Sequence, residues 1–92
     1  MLPEDPVLRG RLIRCGRLLL GWSQARLAHE AQITAGTVYA VEAGRLNGGS
    51  PSARAVVMAL QRAGVEFLPA TDRQGPGLRY ATAAAGMRSI QM

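Results

Sequence analysis

Helix punctuation divides this chain before any question of packing arises. Asp5 followed by Pro6, and Ser50 followed by Pro51, each join a capping side chain to a ring already fixed at helical φ. Ser23 and Thr34 repeat the cap without the proline. Gly21, Gly44 and Gly64 supply the stops, because glycine ends a helix in the left-handed conformation at no steric cost. The punctuation predicts four helices within residues 6–64. The two in the middle are too short to hold outside a packed bundle.

Apolar residues recur between these marks at helical spacing. Leu8, Leu12, Cys15 and Leu19 form one stripe on the first helix, with Arg9, Arg11 and Arg14 largely off it. Leu27 and Ala28 point inward from the second helix, Val38 and Val41 from the third, and Val56, Leu60 and Ala63 from the fourth. "GRLNGGSPS" between the last two is a loop. After Gly64 the period changes to two. Val65 and Phe67 share one side of "VEFL", and Leu78 and Tyr80 one side of "LRYAT". With the turn-rich "PATDRQGPG" between them, these read as two short strands or a loose hairpin. "AAAGMRSIQM" has no clear period, so residues 83–92 are expected to be a flexible tail.

Ninety-two residues suffice for one domain with one modest core. At 48% apolar the chain should fold, and at 4% aromatic its core must be built from Leu, Val, Ile and Ala. The expected class is therefore all-α: a compact bundle of four or five helices over 6–64, with a short C-terminal β appendage at 65–82.

The formal net charge is +5, and all eleven basic residues are arginine. That balance favours a polyanionic partner, and the guanidinium fork suits phosphate. Cys15 is the only cysteine, which excludes an intramolecular disulfide and fits a cytoplasmic protein. The longest leucine run, residues 18–20, is far too short for a bilayer, and the acidic start lacks a leader's basic-then-apolar pattern. His29 has no second ligand at metal spacing, and no phosphate loop, dinucleotide fingerprint or nucleophile–base set is present. No catalytic site, metal, cofactor, membrane contact or small-molecule ligand is expected.

Two short helices around a three-residue turn, in a basic helical bundle, form a helix-turn-helix pattern. The string "LLGWSQARLAHEAQITAGTVYAVEAGR" resembles that of the Cro/C1-type, or XRE, family of regulators. The matching residues are Leu20-Gly21, Ser23-Gln24, Leu27-Ala28, Ile33-Thr34, Thr37-Val38, Glu42 and Gly44-Arg45. The wider resemblance runs from about Val7 to Gly64.

This resemblance implies a lambda-repressor-like fold and a sequence-specific transcriptional regulator bound to double-stranded DNA. Residues 34–43 would be the recognition helix in the major groove, presenting Ala35, Gly36, Thr37, Tyr39 and Ala40. It also implies that Gln24 touches the DNA backbone, and that Arg17 and Glu42 form an ion pair joining the first and third helices. One departure is Gln32, where the family usually has glycine. Gln32 must take a left-handed conformation or alter the turn.

Phosphate contacts are expected from Ser23 and Thr34, and from Arg45, Asn47, Ser50, Ser52 and Arg54 around the fourth helix's N-terminus. Ala35, Gly36 and Ala40 cannot make the paired hydrogen bonds of direct readout. Close approach, thymine-methyl contacts and register set by phosphates are expected instead, with DNA shape read by a dimer. Val65, Phe67, Leu78 and Tyr80 are expected to form the interface of a homodimer; the alternative is that 65–82 folds back on its own bundle. A second functional reading is a protein-interaction module, antitoxin- or antiactivator-like, using the apolar "TAGTVYA" face.

Overall fold

The computed structural model describes residues 2–91. The chain runs α1 (Pro6–Leu19), α2 (Gln24–Ala31), α3 (Ala35–Glu42), α4 (Pro51–Arg62), β1 (Val65–Leu68), β2 (Gly77–Tyr80) and α5 (Ala83–Gln91). It is mostly helical, with one small antiparallel sheet.

Each expected cap is made. The Asp5 carboxylate accepts from Leu8 N–H at 3.2 Å, Ser23 Oγ from Arg26 at 3.0 Å, Thr34 Oγ1 from Thr37 at 3.1 Å and Ser50 Oγ from Ala53 at 3.1 Å. Each satisfies an amide with no partner inside its helix. Gly44 stops α3 at φ +77°, and a Cβ there would lie 2.9 Å from Val7 Cα, so both its conformation and its space call for glycine.

The largest fully buried side chains are Ile13, Leu27, Val38, Val56, Leu60 and Val65, one or two from each of α1 to α4 and one from β1. The inward pairs expected on α2 and α3 hold, as do Val56 and Leu60 on α4, with Ala63 half-buried.

The first helix departs from its expected stripe. Leu8 and Cys15 are exposed, and Leu12 and Leu19 only half-buried. Its buried residues are Arg9, Gly10, Ile13, Gly16 and Arg17. The reason is backbone approach. A Cβ on Gly10 would sit 2.4 Å from the Glu42 carbonyl oxygen, so α1 meets the end of α3 through a bare stretch of helix. At Gly16 a Cβ would touch Leu60, Val65 and Phe67, each at 3.4 Å. Hydropathy spacing counts side-chain carbon, and this contact is made largely without it.

The strands pair with Val65 opposite Tyr80, Glu66 opposite Arg79, Phe67 opposite Leu78 and Leu68 opposite Gly77. Val65 is 2% exposed, and Phe67, Leu78 and Tyr80 pack against the same core. Tyr80 Oη donates to the Leu19 carbonyl. Within the chain these four side chains take the folded-back arrangement, the alternative to a dimer interface, with Phe67, Leu78 and Tyr80 half-buried. The bundle has no second layer of its own to cover α1 and α4 at this point, and the hairpin supplies it.

The segment expected as a flexible tail is helical over its described residues. Residues 83–91 form α5, while Met92 lies outside the described residues. Thr82 Oγ1 accepts from Ala85 N–H at 3.0 Å and starts the helix. Ala85 and Gly86 are buried. A Cβ on Gly86 would stand 2.9 Å from the Tyr80 ring, and one on Gly64 2.7 Å from Ala85 Cβ. Small residues that show no hydrophobic period are the ones that fit this close seam.

Candidate nucleic-acid interface

The turn between α2 and α3 is closed without glycine. Gln32 takes φ 59°, ψ 44°, the left-handed alternative that its sequence position left open. Ile33 N–H then reaches back to the Ala28 carbonyl at 3.0 Å, as in a glycine-terminated helix. Ile33 is half-buried against the core. The strain at Gln32, about 1–2 kcal/mol for a residue with a Cβ, is borne by that packing.

Side chains from α1 and α2 converge behind α3 on one carboxylate. Arg17 Nε donates to Glu42 Oε2 at 2.7 Å and Nη2 to Oε1 at 3.2 Å, the bidentate geometry that makes an Arg–carboxylate pair strong. Arg17 Nη1 donates to the Trp22 carbonyl at 2.9 Å, and Gln24 Nε2 to Glu42 Oε1 at 3.1 Å. The two charged side chains are only 9% and 4% exposed. Among the described residues no buried side-chain nitrogen or oxygen lacks a partner. The network ties α1, the turn after it, the start of α2 and the end of α3 into one geometry. Gln24, expected on a phosphate, donates inward to this carboxylate.

The outward face of α3 is small and largely carbon. Ala35 and Gly36 are exposed, Thr37 and Ala40 half-buried, and Tyr39 52% exposed. Thr34 Oγ1 and Thr37 Oγ1 lie 2.8 Å apart and hydrogen-bond to each other. The Arg45 guanidinium lies over the Tyr39 ring, 5.5 Å from its centroid. The exposed polar chemistry of this face thus concentrates on Tyr39 and Arg45, whose ring and cation lie against each other.

Beyond α3, Asn47 Oδ1 accepts from Gly49 N–H at 3.0 Å, and Ser50 Oγ caps α4. Each of these oxygens accepts one bond from the loop, and the Asn47 amide N–H groups and the Ser50 hydroxyl proton remain as donors. Ser52 is half-buried at the start of α4, and Arg54 and Ser23 are exposed. Ser23 lies at the head of α2, while Asn47, Ser50, Ser52 and Arg54 follow α3 along the chain.

Sequence reasoning missed Arg9. Arg9 is 7% exposed as a residue, and its guanidinium donates to the carbonyls of Pro3 at 3.4 Å, Glu4 at 3.0 Å and Leu46 at 3.1 Å. It pins the segment before α1 to the loop after α3, with Gly48 flat against it. The signal available was its spacing to Ile13, Gly16 and Arg17, a helical face that hydropathy scores as polar.

Among the described residues no group of three or more His, Cys, Asp or Glu could hold a metal ion, and no helix is long and apolar enough to cross a membrane. No protein-family model and no curated protein matches the chain.

Proposed function

We propose that this protein is a sequence-specific regulator that binds double-stranded DNA as a homodimer in the cytoplasm, with no enzymatic activity. The α2–turn–α3 unit acts as a helix-turn-helix of the Cro/C1 type and places α3 in the major groove. The observation that carries this reading is the contrast between the two sides of α3. Its inner end is locked by the Arg17–Glu42–Gln24 network, while its outer face offers exposed Ala35 and Gly36 beside Tyr39 and Arg45.

A rigid helix with a low outer profile can approach base edges closely. Ala35 and Ala40 meet thymine methyls, and Tyr39 supplies a hydroxyl. Arg45, Asn47, the Ser50 hydroxyl, Ser52 and Arg54 position the phosphate backbone, with Ser23 and Thr34 at the heads of α2 and α3. Gln24 acts mainly by orienting Glu42. Selection from a random duplex library, followed by footprinting, tests the reading. A protected site with two-fold symmetry and half-sites one helical turn apart is expected; uniform recovery of all sequences would contradict it.

A second reading, a protein-interaction module, draws on Leu18, Met58, Met87 and Ile90, which are 54–75% exposed. Steep salt dependence separates the two, since counterion release governs DNA binding and not an apolar contact.

A further inference from the structure

A groove runs between the segment before α1, the loop after α3, and α4. It encloses about 640 Å³, within the roughly 300–1,000 Å³ usual for small-molecule sites. Leu2, Val57, Met58 and Phe67 line it with carbon. Met58 is 55% exposed, and its flexible thioether suits a wall that adapts to an aliphatic body.

The charges along it do not balance. Arg9 and Arg54 both line the groove. Among the described residues neither forms an ion pair: the three present are Arg17–Glu42, Arg26–Glu30 and Arg79–Glu66. Arg9 is a nearly buried cation whose hydrogen bonds go only to carbonyls. A buried charge without a counter-charge is costly, and an anion brought beside it is correspondingly favoured. Glu4 is the one acid along the groove, and it is exposed. Two cations against one solvated carboxylate leave a net positive groove with an apolar floor.

We propose that this groove binds a small amphipathic carboxylate, an aliphatic acid of medium chain length. Its head lies toward Arg54 and Arg9, and its chain lies on Val57, Met58 and Phe67. Arg54 is also among the phosphate contacts assigned above, and Gly48 and Gly49 of the groove lie in the same loop as Asn47. An acid on Arg54 removes a cation from the DNA, so acid and DNA weaken each other by one common factor. Only this coupling rests on the DNA-binding reading; the site itself does not.

The test is calorimetric titration of the full chain with decanoate, and with decanol as the uncharged analogue. One decanoate per chain is expected, with decanol at least about tenfold weaker. Arg54→Gln removes a charge-assisted contact and should cost about fivefold. Met58→Glu, at an exposed position that leaves folding intact, should cost at least about tenfold by placing a carboxylate beside the ligand's own. Absence of saturable binding, equal binding of decanol, or indifference to both variants would overturn the site. A dimer in sedimentation that Met58→Glu dissociates and decanoate leaves intact would also overturn it, giving the groove to a second copy.

The coupling is read with a random-sequence duplex at fixed salt. Saturating decanoate should lower duplex affinity by the factor by which duplex lowers decanoate affinity. A chain that binds duplex but no decanoate overturns the groove and keeps the regulator. One that binds decanoate but no duplex at low salt keeps the groove and overturns the regulator.

Discussion

Arg17 and Glu42 decide how α3 is held, and their energetics follow from burial. Each faces the other through two hydrogen bonds with almost no solvent. Removing one partner strands a charge, so Arg17→Ala and Glu42→Ala should each cost about 3–5 kcal/mol in denaturant unfolding. The double variant should cost less than the sum, since the second removal strands nothing. Strict additivity would contradict a direct pair. This contact was legible through resemblance, because it depends on two positions in a motif. The inward turn of Gln24 was not, because one glutamine can reach a phosphate or a carboxylate from the same helix start. The left-handed Gln32 was open for a similar reason: sequence names the residue that must bear a backbone angle, and packing of Ile33 chooses the angle.

At the scale of elements, caps and stops placed α1 to α4 closely, because capping is local chemistry between residues three apart. The buried face of α1 was misread for the opposite reason. Its contacts are non-local and run through Gly10 and Gly16, which carry no hydrophobic signal. The two readings differ in their consequences. Gly10→Ala should destabilise the fold by at least about 2 kcal/mol, since its Cβ would collide with backbone that cannot swing away. Cys15→Ser, in the expected stripe but exposed, should change stability by no more than about 0.5 kcal/mol. Chemical denaturation of both variants checks this, and a reversed order would restore the leucine stripe as the buried face. α5 was unreadable on the same grounds, being seated by Ala85 and Gly86 rather than by large apolar residues.

For the whole molecule, the hairpin changes what truncation should do. Val65, Phe67, Leu78 and Tyr80 share the core of the helices, and Tyr80 bonds to α1. A chain ending at Gly64 should therefore lose cooperative thermal unfolding, or melt far lower, instead of remaining a folded monomer. An unchanged melting temperature would mean that the hairpin is a separate appendage. The helical class, the hairpin and the four-helix order were legible because each rests on local pattern. The docking of the hairpin was not, because an alternating strand shows which side is apolar and never what covers it.

The central claim is that α3 and the loop after it face DNA, and the salt dependence of duplex affinity tests it most directly. Between about 50 and about 200 mM salt, affinity for a selected duplex should fall steeply and linearly on a log–log plot, the slope counting the phosphates neutralised. Arg45→Ala should bind more weakly at every sequence and flatten that slope by about one unit. A slope near zero, or one that Arg45→Ala leaves unchanged, would contradict the assignment of this face to DNA.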